Sequence, residues 1–316
     1  MSGLLIGTDR GILRLDGDGI VRQEEGPPSV ALFTCAHECV LALTQEGALW
    51  RMTGDHEWQL MKAAHVAEDI WAFGADPRVA GRLYLGVSPA LLYWSDDGGA
   101  SWMACEAIRR IPGYERWTFP PPPHIPHVRS VAADPQVVGA VYIGVEEGGI
   151  YRSADRGETW ESLNEGLYWD IHTVTPAPDG TSLYTTTGRG FYRSDDGGRR
   201  WRQLMRGLDR HYTVPLVASR LRPGRLYTAA AASPPPGWGK GANAALYRSD
   251  DGGEHWVCLE RGLPPQFDAM VRQIAVDDTE TVYVAGGREL FVSTDEGASW
   301  RRQAGDLPTV KALAVV

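Results

Sequence analysis

The chain has 316 residues, of which 43% are hydrophobic and 22% charged, and it carries a formal net charge of -9 at pH 7. This composition excludes an intrinsically disordered chain. No run approaches the roughly 20 apolar residues that a membrane-crossing helix needs. The acidic balance argues against a nucleic-acid partner, because phosphate contacts need a basic surface.

The chain begins Met-Ser-Gly-Leu-Leu-Ile-Gly-Thr-Asp, without the basic start and long apolar run of a secretory leader, so a cytoplasmic location with no membrane partner is expected. Cys35, Cys39, Cys105 and Cys258 fit that compartment as reduced thiols. Cys35 and Cys39 are four apart and could pair or share a metal, but without a second such pair ordinary buried thiols are expected.

In chain order, the stretch from Leu4-Leu5-Ile6-Gly7 reads as second, third and fourth strands with no first strand before them. First-strand signatures then recur at Ser29-Val30-Ala31, Asp69-Ile70-Trp71, His127-Val128-Arg129, Asp170-Ile171-His172, near His211-Tyr212-Thr213, at Met270-Val271-Arg272 and at Thr309-Val310-Lys311. One unit shows the grammar most clearly. An alternating strand (127–132) leads to an Asp-Pro turn, a second strand (140–145), a third (149–153), a tight turn and a fourth ending in Leu. Short strands of period two separated by turn residues predict an antiparallel all-β chain. Four strands per repeat of about 40–45 residues predict propeller blades. The count is seven: 309–316 with 1–27, then 28–66, 67–125, 126–168, 169–210, 211–268 and 269–308. The expected architecture is therefore one seven-bladed β-propeller over 1–316. Its last strand joins the first blade, which removes the open sheet edge.

Five segments match Ser-x-Asp-x-Gly-x-x-Trp: Ser95 to Trp102, Ser153 to Trp160, Ser194 to Trp201, Ser249 to Trp256 and Ser293 to Trp300. The chemistry is that of a tight hairpin: the Asp accepts from turn amides, the Gly takes a positive φ, and the Trp buries its ring beside the sheet. Degenerate copies stand at Met52-Thr53-Gly54-Asp55 and Asp16-Gly17-Asp18-Gly19. With these boxes the chain resembles the Asp-box, or bacterial neuraminidase repeat, propeller superfamily over nearly its whole length. That group includes sialidases, sortilin-type receptors, xyloglucan-active glycosidases and the photosystem II stability/assembly factor. The resemblance is greatest to bacterial proteins labelled exo-alpha-sialidase or BNR-repeat glycosyl hydrolase. It implies a propeller, and it implies either a glycan-processing enzyme or an assembly scaffold. The sialidase pattern also needs an arginine triad and an Arg-Ile-Pro ahead of the first box. Here Arg110-Ile111-Pro112 follows a box, and Arg129, Arg272 and Lys311 supply only two arginines, so sialidase activity itself is not expected.

Successive box serines are 58, 41, 55 and 44 residues apart, so two blades carry insertions. The first (106–126) contains Trp117-Thr118-Phe119 and four prolines before His124; the second (231–244) contains Pro234-Pro235-Pro236-Gly237-Trp238. By strand order both leave the end of the blade opposite the boxes, where long ordered loops commonly cover a site. The first-strand openings on that end align as one tier of Ser29, Asp69, His127, Asp170, Tyr212, Met270 and Thr309. The next tier is Ala31, Trp71, Arg129, His172, Val214, Arg272 and Lys311. Tiers serving only packing would be small or apolar. His124, His127, His172 and His211, with Glu146 or Asp170, form one candidate set of nitrogen and oxygen ligands for a divalent transition metal. Arg129, Arg272 and Lys311, flanked by Trp71, Trp117 and Trp238, form a candidate anion and carbohydrate site. Asp170, Glu146 and Tyr212 would then supply acid–base groups. A hydrated salt-bridge ring is the structural alternative. His37, His56, His65 and His255 fall elsewhere and are expected to be ordinary surface or turn residues.

Overall fold

The computed structural model of the protein describes residues 3–16, 19, 21–29, 31–35, 39–52, 57–61, 68–76 and 78–316, without the side chains of 33–35, 39, 239 and 240. The fold is a seven-bladed β-propeller of four-stranded antiparallel sheets. Among the described residues the only helical pieces are three 3-10 turns, at Glu106–Arg110, Tyr114–Arg116 and Pro235–Lys240. Both expected insertions therefore contain a 3-10 turn. The chain divides into two compact units, Met1–Met61 with Met205–Val316, and Lys62–Leu204.

In the first unit, β1 (Leu4–Thr8), β2 (Gly11–Leu15) and β3 (Val21–Glu24) form one sheet. The next blade is β4 (Ala31–Cys35), β5 (Cys39–Leu43), β6 (Leu49–Met52) and β7 (Trp58–Leu60). The second unit holds three blades. They are β8 (Asp69–Ala75), β9 (Leu83–Ser88), β10 (Leu91–Ser95) and β11 (Met103–Ala104); β12 (Val128–Ala133), β13 (Val141–Val145), β14 (Gly149–Ser153) and β15 (Glu161–Ser162); and β16 (Ile171–Pro176), β17 (Leu183–Thr187), β18 (Gly190–Ser194) and β19 (Arg202–Gln203). The chain then returns to the first unit with β20 (Tyr212–Ala218), β21 (Leu226–Ala231), β22 (Ala245–Ser249) and β23 (Val257–Leu259). The last blade is β24 (Gln273–Val276), β25 (Val282–Gly286), β26 (Glu289–Ser293) and β27 (Arg301–Ala304). Finally β28 (Val310–Val315) pairs with β1 from Leu4↔Val315 to Thr8↔Val310, completing the first sheet as expected.

The five Ser-x-Asp-x-Gly-x-x-Trp hairpins share one hydrogen-bond scheme. In the Ser153 turn the buried hydroxyl donates to Asp155 Oδ1 at 2.8 Å and accepts the Gly157 N–H at 2.7 Å. Asp155 Oδ1 in turn accepts the Thr159 N–H at 2.9 Å. The Gly residues of these turns take φ near 90° (Gly157 90°, Gly198 90°, Gly253 93°), a region that side chains strain to enter. Trp201 is 6% exposed and ties its indole N–H to the Leu163 carbonyl at 2.8 Å, joining its turn to the preceding blade. The degenerate copies fall partly outside the described residues, as do the side-chain pairing of Cys35 with Cys39 and the placing of His37, His56 and His65. Cys105 and Cys258 are free thiols, the first buried and the second half-buried.

A second regularity was not expected. Five of the seven first strands carry a register shift against the second strand at the same point. In β8 the ladder passes from Ile70↔Val87 to Ala72↔Gly86, leaving Trp71 out. In β12 and β16 the same step leaves out Arg129 and His172. In β28 it leaves out Lys311, and in β20 it falls at Val214 and Pro215. Within the second unit β12 packs against both β8 and β16, so its three bulges belong to adjoining strands.

Two substitutions test the hairpin scheme. Ser153→Ala should cost about 1–3 kcal/mol, because it leaves a buried N–H without its acceptor. Trp201→Ala should cost about 3–5 kcal/mol through the cavity it opens. Urea unfolding read by far-UV circular dichroism measures both, and equal midpoints for wild type and Trp201→Ala would contradict the scheme.

Candidate functional site

The second unit brings six of the sequence-selected residues together: Trp71, His127, Arg129, Glu146, Asp170 and His172. His127 stands just before β12 and is 0% exposed. Its ring stacks on Trp71 with centroids 3.7 Å apart and planes 23° apart, and Phe119 meets it edge-on at 4.6 Å. The first insertion thus supplies an aromatic cover for the imidazole, through Phe119.

Glu146 follows β13 in the turn 146–148. The Gly148 N–H lies 3.0 Å from the Val145 carbonyl, and Glu147 takes a φ of 50°. A Cβ on Gly148 would lie 2.5 Å from Val145 Cγ1 and 3.0 Å from Trp117 Cγ, so this turn needs a glycine for its close packing. His127 Nε2 is 3.0 Å from Glu146 Oε2, and Arg129 Nε stands 3.3 Å from the same oxygen. Burial alone would raise the Glu146 pKa, but the His127 hydrogen bond and the nearby Arg129 guanidinium outweigh it and hold it below its usual range. Burial lowers the His127 pKa despite the opposing pull of Glu146. The acceptor-only carboxylate therefore takes an Nε2–H from a neutral ring, and Nδ1 keeps a buried lone pair with no hydrogen-bond partner.

Asp170 and His172 come from the start of β16 and are 9% and 4% exposed. His172 is the bulge residue, and its Nε2 stands 3.4 Å from Asp170 Oδ1. The Gly188 N–H bonds the Asp170 carbonyl at 3.2 Å, and a Cβ on Gly188 would fall 2.1 Å from Asp170 Oδ2. One oxygen each from Glu146 and Asp170 and a nitrogen from His172 all lie within 4.8 Å of one another. Trp71 is 38% exposed and Trp169, next to Asp170, is 48% exposed; the Trp169 carbonyl accepts the Gly148 N–H at 3.2 Å. Burial and the negative neighbours Asp170 and Glu146 raise the Glu147 pKa.

The other sequence-selected residues do not join this group. His124 is exposed at φ 63° and contacts its own loop, with Nδ1 2.8 Å from the Phe119 carbonyl. Trp117 is 7% exposed and buried in the core beneath the loop, donating its N–H to Tyr151 at 3.0 Å. Tyr212, Trp238 and Arg272 belong to the first unit and form a cluster of their own: Tyr212 meets Trp238 edge-on at 5.8 Å, and the Arg272 guanidinium lies 5.2 Å from the Trp238 ring centre. His211 and Lys311 are exposed in that unit. That unit also has a groove of about 920 Å³ lined by Trp50, Trp58, Glu25 and Glu57 among others, with no histidine among its described lining residues. Acid–base and ligating groups converge in the second unit, and the candidate site is placed there. Trp169 was not selected from sequence, although its position next to Asp170 was a usable signal.

No family model matches the chain, and no curated protein matches it. Solved structures do. A GH74 xyloglucanase from Xanthomonas campestris superposes with a TM-score of 0.66 at 18% identity, over 87% of this chain and 45% of its own. The chain therefore spans about half the length of that enzyme. YCF48 bound to D1 peptide gives a TM-score of 0.60 at 18% identity, over 95% of this chain and 84% of its own. YCF48 from Cyanidioschyzon merolae gives 0.60 at 14% identity, over 89% and 85%. At these identities the likeness is one of fold.

Two outcomes follow from the geometry. Gly188→Ala should displace the Asp170 carboxylate while costing the fold about 1 kcal/mol or less, since Gly188 is not in a positive-φ conformation. A crystal structure of the variant with Asp170 unmoved would contradict this. Acidification should destabilise the protein in two stages of the same sign. The unfolded chain protonates His127 near pH 6.5 while the folded one resists, so that stability is lost as pH falls below about 6.5; the Glu146 share is present above about 4.3 and lost as pH falls through its depressed value. In urea titrations across pH, His127→Gln should flatten the upper stage.

Proposed function

We propose that this chain is an enzyme that processes a polar small molecule or glycan at the pocket formed by the starts of β8, β12 and β16 and the turn 146–148. The observation that carries the reading is the convergence of two carboxylates and two imidazoles, all buried, with the part-exposed Trp71 stacked on one of the rings. Burying such groups is costly, and sheet packing alone does not call for them. Displaced protonation equilibria of this kind cluster at functional sites. Trp71 and Trp169 offer flat apolar faces to a sugar ring, Arg129 offers a cation beside them, and the carboxylate–imidazole group is the reactive centre. Tyr212, Arg272, Lys311 and Trp238 take no part in this pocket. The shared hairpin scheme supports membership of the Asp-box superfamily, and the free Cys105 and Cys258 are in keeping with a cytoplasmic location.

A second reading, a non-catalytic assembly or interaction scaffold, is favoured by one finding. The chain matches the YCF48 structure nearly end to end, over 95% of this chain and 84% of that one.

A panel of 4-nitrophenyl glycosides and uronides separates the two. The enzyme reading expects release of 4-nitrophenol that drops at least about 100-fold in Asp170→Asn, with unchanged circular dichroism. No turnover of any panel member, together with a protein partner retained equally by wild type and Asp170→Asn, would establish the scaffold instead.

A further inference from the structure

We infer that Glu146, Asp170 and His172 hold a divalent transition-metal ion, and that His127 is the positioning residue for Glu146. This deepens the enzyme reading of the same pocket, but it stands on separate observations.

The first is spacing. Two donors on one ion at about 2.0–2.2 Å cannot be more than about 4.4 Å apart. The three donor atoms lie within 4.8 Å, and Asp170 Oδ1 and His172 Nε2 at 3.4 Å already suit neighbouring coordination positions. A shift of less than an ångström completes the set. The backbone that carries it is fixed, with Glu146 in a turn bonded to Val145 and Trp169, and His172 at a bulge held by the β16–β17 ladder.

The second is hydrogen-bond satisfaction. Asp170 Oδ1 is buried and accepts no hydrogen bond, although Asp170 is only 9% exposed. A carboxylate oxygen in that state carries the full cost of desolvation unless a cation meets it. Arg129 is 3.3 Å from Glu146, so the one guanidinium in contact with the pair is engaged by the other carboxylate.

The third is the surrounding layer. Metal-ligating carboxylates are themselves held by hydrogen bonds. His127 and Arg129 both engage Glu146 Oε2, which leaves the other oxygen for the ion. The stack of Trp71 and Phe119 on His127 fixes the imidazole that does this.

Two carboxylates and one imidazole favour Mn, Fe, Co, Ni or Zn over Mg and Ca, which prefer all-oxygen sites. Of the set proposed from sequence, four histidines with Glu146 or Asp170, this keeps His172 and both carboxylates: His124 bonds within its own loop, His211 lies in the other unit, and His127 stands one layer out.

The test uses full-length protein stripped with chelator and titrated calorimetrically with Zn²⁺, Mn²⁺ and Ca²⁺ separately. One equivalent of Zn²⁺ or Mn²⁺ per chain is expected. Asp170→Asn and His172→Ala should each lower affinity at least about 100-fold. His127→Ala should lower it about 10–100-fold at unchanged stoichiometry, and His127→Gln, which retains an N–H donor, should restore it. Should His172→Ala not fold, the near-isosteric Asp170→Asn carries the test alone. Binding of Ca²⁺ only, or Zn²⁺ and Mn²⁺ binding that Asp170→Asn leaves unchanged, would overturn the assignment. Equal affinity in His127→Ala and wild type would remove the positioning role. One bound equivalent with no glycoside turnover and a retained protein partner would refute the enzyme reading and leave the metal site standing; turnover by a protein that binds neither Zn²⁺ nor Mn²⁺ would do the reverse.

Discussion

A strand that must pair with its neighbour and also present two consecutive polar side chains away from the ladder has a conformational problem, and the bulge at the start of the first strand resolves it. Strict alternation would put residues two apart on the same face. In β12 the buried apolar residues are instead Val128 and Val131, three apart, and in β16 they are Ile171 and Val174. The extra residue resets the phase, so the strand stays packed on both sides of the irregularity while Arg129 or His172 is released from pairing. Trp71 is released in the same way from β8. Everything at the candidate site depends on these three positions lying on adjoining strands.

The electrostatics follow from that placement. Glu146 enters from a hairpin turn and finds His127 and Arg129 on the neighbouring strand's start, so one carboxylate oxygen gathers two donors. Asp170 is seated against the bare backbone of Gly188, where any side chain would strike it. The result is a compact cluster of carboxylate and imidazole groups. It is held by main-chain features rather than by long flexible side chains, and rigid backbone support of this kind lets a reactive group be positioned without an entropic penalty at each turn of its task.

The repeat was legible because its signal is local. Within eight residues the serine, aspartate and glycine of each hairpin satisfy one another, so no distant partner is needed to recognise the turn. Blade number followed from the recurring first-strand signatures, and their alignment put Arg129 and His172 in one tier, where both prove to be bulge residues. The bulges were hidden, because one extra residue leaves no mark in a strand whose alternation is already mixed. Partnership was hidden as well: Glu146 and His127 are on different elements of a blade, and Asp170 and His172 on the next. Trp117 illustrates the opposite error. An aromatic in a proline-rich insertion reads as contact surface, yet it is buried beneath the loop because Gly148 leaves room for its ring. Trp169 went unselected because it lies one residue ahead of the strand that was aligned.

Each antiparallel blade has two ends, and the hairpin scheme occupies the one remote from the bulges. In five of the blades the self-contained turns therefore hold the sheet from one end, whatever stands at the other. Mutational drift there carries little risk of misfolding, since the stabilising contacts are drawn from a separate set of residues. A scaffold divided in this way can exchange one chemistry for another by altering a handful of codons, and it lends itself to grafting new ligand sets at Trp71, Arg129 and His172 without redesign of the sheets.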